Sequence, residues 1–285
     1  MGEGRRGEAK TKDERLRHEG RKPEKKRIMT HKERFEQVLP RWRKLVEGTM
    51  AEEDRRERAE VLFSCHSCAI EGNSYSVDDT RALKELNLGF TPQGKTLAET
   101  MEMLDHLHAY EYMESHLDES LTEDFIKHLH FLLTEHTMGY LHEGAKAGEY
   151  TDTDMCAGDT IFGDHEELVA HVPDLLRSTE AALSRGLPPM EVVARFHGFF
   201  EHLHPFRDGN GRLGRLLVNF LLLRAGLPVL IIPLEKRAAY IDCLRLFRKE
   251  SHDFLIDFFY QVAADRLEAE IRQKQKASKP MMFLF

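Results

Sequence analysis

The sequence is poor in cysteine and tryptophan, with four cysteines and one tryptophan in 285 residues. Four cysteines are too few for a disulfide framework in a chain of this length, so we expect reduced thiols. Cys65 and Cys68 form a CxxC pair, but there is no second pair to complete a zinc site. Because the surrounding pattern is helical, we expect two buried or half-buried helix cysteines without a metal.

An excess of positive charge and a long apolar run are also missing. The formal net charge is −8, which gives no general footprint for nucleic acid. The most apolar stretch, 213–234, is interrupted by Arg215, Asn219 and Arg224, which a bilayer would penalise. The N-terminal segment lacks the apolar core of a secretory leader. We therefore expect neither nucleic acid nor a membrane as partner, and a cytoplasmic location with the nucleus as the alternative.

The pattern of apolar residues predicts an almost entirely helical protein. Apolar residues recur at helical spacing over ten segments. These are 35–48, 51–71, 77–88, 96–116, 121–135, 165–184, 189–204, 211–226, 235–249 and 253–274. The exception is 147–163, where glycines and Thr-Asp alternation favour a β-hairpin or an extended flap.

One segment, HPFRDGNGRLGR at 204–215, combines the residue types that handle phosphate. Leu213, Leu216, Leu217, Phe220 and Leu221 form one apolar stripe, so the segment leads into a helix. The first backbone N–H groups of a helix have no partner within it and attract anions. Glycines in the turn let a phosphate approach the backbone. Two arginines in the first helical turn oppose the helix dipole, which argues for a bound anion. The sequence has no GxxxxGK[ST], which argues against a P-loop NTPase.

This segment resembles the signature of the Fic family, enzymes that transfer a nucleotide, usually AMP from ATP, to a hydroxyl of another protein. The resemblance implies that His204 is the general base that deprotonates the target Ser, Thr or Tyr. Asp208 would hold Mg²⁺, with Mn²⁺ as an alternative. Phe206 would anchor the loop in the core.

The same resemblance assigns the nucleotide-binding residues. Arg212 would bind the β-phosphate and Arg215 the γ-phosphate, while Tyr240 matches a position near the adenine pocket. Arg248 lies where some relatives have a polar amide near the base. The phosphate cradle would be formed by Gly209, Asn210 and Gly211.

A second motif, SCAIEGN at 67–73, comes at the end of the helix predicted for 51–71. Gly72 is a suitable helix-ending residue, and Glu71 alone would be an ordinary surface charge. However, Ser67, Glu71 and Gly72 match the inhibitory helix of many Fic proteins. Glu71 would then pair with Arg215 and occupy the place of the γ-phosphate.

The flap is expected to bind the target's main chain by strand addition, as in Fic enzymes. We assign Thr153, Asp154 and Met155 to this role. Relatives often have an arginine after the flap's aromatic residue, but here Tyr150 is followed by Thr151. The acidic character of this flap means that no relative's target can be transferred to this chain.

The resemblance divides the chain into four parts and implies an all-α Fic-type bundle with a small β-hairpin flap. A flexible charged tail covers 1–33, N-terminal helices with the inhibitory helix cover 34–76, the catalytic core covers 77–274, and a C-terminal tail covers 275–285. The apolar segment PMMFLF at the end of this tail would be unfavourable in water. We expect it to pack on this chain or on a second copy in a homodimer, rather than on a membrane. Expected partners are a protein substrate of unknown identity and the protein itself, through self-modification.

Three alternatives to AMP transfer stay open. Glu71 could position water against an AMP-modified protein, so that the enzyme removes AMP. The fold could serve as a nucleotide sensor without catalysis. Finally, His197, Glu201 and His204, at i, i+4 and i+7 on one predicted helix, could bind a metal as in a hydrolase, although His197 is more typical of a hydrogen-bonded core histidine.

Overall fold

The computed structural model describes residues 29–89, 92–157 and 160–277. The chain divides into two units, 1–30 and 31–285, and only Met29 and Thr30 of the first unit are described. The predicted tail therefore lies almost entirely outside the described residues, and so does the C-terminal PMMFLF.

The described residues form eleven α-helices and one short antiparallel hairpin, which confirms the predicted all-α architecture with a small flap. The helices are α1 (His31–Leu45), α2 (Glu52–Glu71), α3 (Val77–Leu86), α4 (Leu97–Ser115), α5 (Glu123–Thr134), α6 (Met138–Leu141), α7 (Leu168–Ser184), α8 (Pro189–Leu203), α9 (Asn210–Arg224), α10 (Arg237–Phe247) and α11 (Asp253–Ala277). The hairpin strands are β1 (Cys156–Ala157) and β2 (Thr160–Ile161), with Cys156 opposite Ile161.

The first helix begins earlier than the sequence predicts. It starts at His31, inside the predicted tail, because charged side chains in its first turn have partners on other helices. Lys32 Nζ lies 2.7 Å from Glu191 Oε1 on α8, and Arg34 binds Glu268 Oε1 on α11 at 2.7 Å. The last helix likewise runs on to Ala277, beyond the predicted start of the C-terminal tail.

Two local features go beyond what the sequence pattern indicates. The flap has only two residues in each strand, and 147–155 has no regular secondary structure. This segment is held by hydrogen bonds to other parts of the chain, such as the bond from the Thr151 amide to the Pro205 carbonyl at 2.9 Å. The short helix α6 follows α5 and was not predicted, since four residues are too few to show helical periodicity.

The core is built around α9, whose predicted apolar stripe is completely buried. Val218 and Leu222 on its other sides are also buried, since α2, α4, α5 and α8 all pack against α9. Burying each such side chain contributes roughly 1.5–3 kcal/mol. A helix held on every side can present its N-terminal turn to a ligand with little freedom to move.

Two smaller predictions concern individual side chains. Cys65 and Cys68 are buried in α2, as expected. The apolar residues of the segment predicted as a helix over 121–135 favour a core position for Phe131 too, but its side chain is 42% exposed. The buried face of α5 includes Phe125, Leu129 and Leu133, so Phe131 lies on another side of the helix. None of the helices within the described residues is both long and apolar enough to cross a bilayer.

Candidate active site

His204 is the residue at which α8 ends. Its backbone is left-handed, with φ of 50°, so the chain leaves the helix at this point. The imidazole stacks on the flap ring of Phe162 at a centroid distance of 3.8 Å. Burial, together with the nearby charge of Arg248, lowers the pKa of His204 to about 4. The ring is therefore neutral at neutral pH, as a general base must be.

The loop after His204 is fixed by its own side chains. Phe206 is fully buried, as predicted for the anchor. Asn210 Oδ1 accepts a bond from the Phe206 amide at 2.9 Å, and Asn210 Nδ2 donates to the Phe206 carbonyl at 2.7 Å. Both polar groups of the Asn210 side chain are thus occupied by the loop. What Asn210 offers to a phosphate is its main-chain amide in the first turn of α9.

Two glycines in this segment are closely approached by other side chains. Gly209 has φ of 77° at the start of α9, and a Cβ there would lie 3.0 Å from Thr134 Cγ2. At Gly211 a Cβ would lie 2.5 Å from Glu71 Oε1 and 3.0 Å from Arg215 Nη1. A carboxylate therefore already rests against the backbone at the position where the sequence predicts a phosphate.

The predicted inhibitory motif meets the second arginine of the loop. Arg215 is buried, and its Nη2 donates to Glu71 Oε1 at 2.8 Å. Ser67 also holds this guanidinium, through its hydroxyl at 3.1 Å and its carbonyl at 2.8 Å. Gly72, in a left-handed conformation, ends α2 directly after Glu71. The structure thus brings together Ser67, Glu71, Gly72 and Arg215 as the motif comparison predicts.

Arg212 and Asp208 form a second charged group at the start of α9. Arg212 Nη2 lies 3.3 Å from Asp208 Oδ2, and His142 Nε2 approaches the same oxygen at 3.3 Å. Burial tends to raise the pKa of Asp208, but Arg212 and the Gly209 amide outweigh it and leave the pKa lowered. Asp208 is therefore an ionised oxygen donor that suits a hard cation such as Mg²⁺.

Glu102 was not predicted as part of the site. Its Oε1 lies 2.5 Å from Arg212 Nη1, and its Oε2 accepts from Asn73 Nδ2 at 2.7 Å. Each buried arginine of the loop thus has a carboxylate partner from another helix. In the sequence, Glu102 is one of several acidic residues in α4, and nothing in its spacing distinguishes it.

Two other residues that sequence reasoning missed hold the loop to its surroundings. His130 Nε2 bonds to the Asp208 carbonyl at 2.9 Å, and its Nδ1 accepts from the Gly148 amide at 2.8 Å. The ring also stacks on Phe206 at 3.8 Å. Arg207 donates to Thr153 Oγ1 at 3.0 Å, which joins the loop to the flap. Only the fold brings these groups together.

The predicted flap residues border the site from the other side. Thr153 and Asp154 are exposed, and Met155 is half-buried. The Phe162 amide donates to the Met155 carbonyl at 3.0 Å, and the Gly163 amide donates to the His202 carbonyl at 2.9 Å. The flap is therefore attached to α8 just before His204, which keeps Phe162 over the imidazole.

A cavity of about 230 Å³ adjoins His204 and Arg215. Tyr240, Ile241, Leu244 and Arg248 contribute its α10 wall, and Phe162 contributes from the flap. Tyr240, predicted near the adenine pocket, does line the cavity.

Several buried polar atoms at this cavity and behind it have no hydrogen-bond partner within the part of the chain that the structure describes. They are His197 Nδ1, Glu201 Oε1, His204 Nδ1, Arg212 Nε and Arg248 Nε. Leaving such atoms unpaired is costly, so their concentration here fits a site that takes a polar ligand.

The hydrolase alternative loses its geometric basis. Because His204 leaves the helix, it no longer shares a helical face with His197. Among the described residues, His197, Glu201 and His204 do not form a group close enough to share one metal ion. His197 Nε2 instead bonds to the Tyr240 hydroxyl at 2.6 Å, and burial lowers the pKa of His197 to about 3. It is the hydrogen-bonded core histidine that the sequence favoured.

Comparisons with known proteins agree with this geometry. The Fic/DOC family model matches residues 120–222. "Protein adenylyltransferase Fic" of Nematostella vectensis is 35% identical over 185 residues, covering 63% of this chain and 41% of that protein. The protein of the same name from Drosophila willistoni is 34% identical over 197 residues, covering 67% of this chain and 38% of that protein. This chain thus spans about two fifths of the length of these relatives.

Solved structures share the fold. A Fic domain-containing signalling protein from Bacteroides thetaiotaomicron superposes with a TM-score of 0.74 at 23% identity, over 85% of this chain and 97% of that one. Fic-1 from C. elegans gives a TM-score of 0.70 at 23% identity, over 87% of this chain and 73% of that one. Fold, family model and sequence relatives converge: the chain belongs to the Fic/DOC family.

Proposed function

We propose that this protein is an autoinhibited, Mg²⁺-dependent protein adenylyltransferase, which transfers AMP from ATP to a Ser, Thr or Tyr hydroxyl of a target protein and to itself. The observation that carries the proposal is the Glu71 carboxylate, bound to Arg215 and resting against Gly211. An anion held at a helix N-terminus by a buried arginine marks the place of a phosphate. The names of the sequence relatives support adenylyl transfer as the chemistry.

In the proposed reaction, the target hydroxyl oxygen attacks the α-phosphorus of ATP. A bond forms between them, the bond from the α-phosphorus to the bridging oxygen breaks, and pyrophosphate leaves. His204 takes the hydroxyl proton, which its neutral state allows. Arg212 and Arg215 neutralise the β- and γ-phosphates, and the first amides of α9 support the phosphate charge. Mg²⁺, which Asp208 would hold, would supply further charge neutralisation on the phosphate oxygens.

Autoinhibition follows from competition for Arg215. Nε and Nη2 of the guanidinium are bound by Ser67 and Glu71, so a γ-phosphate must displace the carboxylate before it binds productively. Glu71 is the more accessible partner, because its side chain is 39% exposed whereas that of Arg215 is 5% exposed. We therefore propose that α2 sets the resting activity of the enzyme.

Removal of AMP is a second candidate activity. The Glu71 carboxylate is half exposed beside the phosphate site, where it could hold a water molecule against an AMP-modified protein. Incubating an AMP-labelled protein with the wild type and with Glu71→Gly separates the two activities. Release that needs Glu71 favours removal, and net labelling that increases without Glu71 favours transfer.

The test of transfer uses ATP with a label on the α-phosphate, followed by mass spectrometry of the enzyme itself. We expect Glu71→Gly protein to gain a mass equal to AMP, and a His204→Ala, Glu71→Gly variant to lose labelling by about 100-fold or more, the size expected for a lost general base. That variant should still bind ATP. Equal labelling with and without His204 would remove it from the mechanism, and binding without any labelling would support the sensor alternative. The cytoplasmic location and the homodimer also stay proposals.

A further inference from the structure

Glu201 is a buried carboxyl that the proposed reaction does not use. It lies one helical turn before His204 on α8, is 6% exposed, and lines the cavity. Its Oε1 has no hydrogen-bond partner among the described residues. His197 Nε2 lies 3.9 Å from this oxygen, too far for a hydrogen bond. Burial raises the pKa of Glu201 to about 7, as expected for a carboxyl without a close partner.

A carboxyl in this place is costly unless a ligand satisfies it. Burying a polar group without a partner disfavours the folded state, so such a group in a cavity wall fits a site where a ligand provides the partner. Space for it exists because Gly214 has no side chain: a Cβ there would lie 2.8 Å from Glu201 Oε1. The sequence thus places a small residue opposite an unpaired buried acid, at the wall of the nucleotide cavity.

Arg248 provides an unpaired hydrogen-bond donor at the same cavity. Its Nε is buried without a partner in the described part of the chain, and its guanidinium lies 5.0 Å from the centre of the Phe162 ring. Its Nη2 also reaches the Glu201 carbonyl at 3.4 Å. An unpaired acceptor and an unpaired donor therefore belong to two residues that line the same cavity. Ile241, Leu244 and the ring of Phe162 line this cavity too, and their apolar surface suits a flat base.

We infer that Glu201 determines base specificity, by accepting a hydrogen bond from the exocyclic amino group of the nucleobase beside a ring acceptor bound by Arg248. Adenine presents this combination of an amino donor and adjacent ring-nitrogen acceptors. Hypoxanthine carries an oxo group in place of the amino group and would face the carboxyl with a second acceptor. The inference rests on the proposed nucleotide site, and it specifies how that site recognises ATP.

Other charged and titratable groups also face Glu201. Arg215 is close enough to favour its ionised form, whereas Glu71 opposes it, and Tyr240 and His197 pack nearby. Glu201 could therefore act only as a second counter-ion to Arg215. As a counter-ion, Glu201 would change the affinity for every nucleoside triphosphate by the same factor. As a base-recognition residue, it would change the affinity for some bases more than for others.

The experiment measures nucleotide binding by calorimetry, with Mg²⁺, in a His204→Ala, Glu71→Gly background. This background frees Arg215 and avoids turnover, so a failure of AMP transfer cannot affect the result. The probes are ATP, inosine triphosphate and 3′-deoxy-ATP. Glu201→Leu removes the acceptor, Glu201→Gln keeps an acceptor oxygen, and Glu191→Gln on the distant part of α8 is the matched control.

We expect ATP to bind about tenfold to a hundredfold more tightly than inosine triphosphate in the background protein. Glu201→Leu should weaken the binding of ATP and leave the binding of inosine triphosphate nearly unchanged. The ratio of the two dissociation constants should then approach one. Glu191→Gln should keep the preference. Glu201→Gln should keep ATP binding but reduce the preference, because its amide can accept from an amino group or donate to an oxo group.

Three results would overturn the inference. Equal binding of ATP and inosine triphosphate by the background protein does so without any Glu201 variant, even if Glu201→Leu fails to fold. An equal loss for both nucleotides in Glu201→Leu would make Glu201 a counter-ion of Arg215. A Glu201→Leu effect that disappears with 3′-deoxy-ATP would assign Glu201 to the ribose.

Discussion

Glu102 on α4 holds Arg212, with 2.5 Å between Oε1 and Nη1. The other oxygen of Glu102 accepts from Asn73, two residues after Glu71. The end of α2 is therefore connected to both arginines at the start of α9, directly to Arg215 and through Asn73 and Glu102 to Arg212.

Replacing Glu102 by alanine should destabilise the protein, and the loss of stability should be smaller when ATP is bound. Arg212 is buried, so loss of its main carboxylate partner should cost about 2–4 kcal/mol in the free energy of unfolding, since Asp208 still compensates part of the charge. A bound triphosphate would replace the missing charge. Urea unfolding with and without Mg·ATP measures both effects. A loss that stays the same when ATP is present would contradict a phosphate role for Arg212.

Replacing Glu71 by glycine should raise ATP-dependent labelling by about tenfold to a hundredfold, the amount expected when a charge-assisted hydrogen bond no longer competes for Arg215. ADP has no γ-phosphate, so its binding should gain much less. The measurement is initial labelling rate with α-labelled ATP, together with binding of both nucleotides.

The control is the double variant Glu71→Gly, Arg215→Ala. Its labelling should return toward the wild-type level, because the released guanidinium is what the triphosphate uses. A double variant as active as Glu71→Gly would mean that inhibition does not act through this pair.

The pH dependence of transfer should reflect the buried state of His204. The pKa of this base is lowered to about 4, so it stays neutral well below the ordinary value of 6.5. For Glu71→Gly protein, kcat/KM should therefore hold between pH 8 and pH 6 and decline only below about pH 5. Arg248→Gln removes a charge that lowers this pKa, and should move the decline to higher pH. A decline centred at 6.5 in Glu71→Gly protein would show that His204 is solvated in the active state.

Acid should destabilise the fold below pH 6.5 through buried histidines. Burial lowers the pKa of His130 to about 4 and that of His197 to about 3. Their neutral forms stabilise the native state above the unfolded pKa of 6.5, and this contribution is lost as the pH falls through 6.5 toward those values. Each histidine can contribute up to about 1.4 kcal/mol per pH unit.

His130→Gln tests one of these groups. Glutamine can keep one donor for the Asp208 carbonyl and one acceptor for the Gly148 amide, but it does not titrate. Between pH 6.5 and pH 4.5 the free energy of unfolding should fall less steeply in the variant than in the wild type. The difference in slope should approach about 1.4 kcal/mol per pH unit, the value for one proton. Identical slopes in thermal unfolding would show that His130 is not neutral in the native protein.

The parts of the site that could be predicted share one property: their role is encoded within a short stretch of sequence. His204, Gly209 and Arg215 lie in one segment of twelve residues, 204–215, and Glu71 lies in a motif of seven residues. Helix lengths followed from apolar periodicity for the same reason, since it is a local signal.

The residues that sequence reasoning missed act over long distances along the chain. Glu102 bonds to Arg212, 110 positions away by number, and His130 bonds to the Asp208 carbonyl. Neither belongs to a motif, and each is an ordinary polar residue on a helix until the fold supplies its partner. Asn210 shows the opposite case, a motif residue whose side chain turns out to bond to the backbone of Phe206.

The bare backbone at Gly211 has a genetic consequence. The Glu71 carboxylate and the proposed γ-phosphate use the same space, and a bulky side chain at 211 would enter it. Such a substitution should therefore weaken inhibition and nucleotide binding together. Selection for deregulated variants should return changes in α2 more often than bulky replacements at position 211.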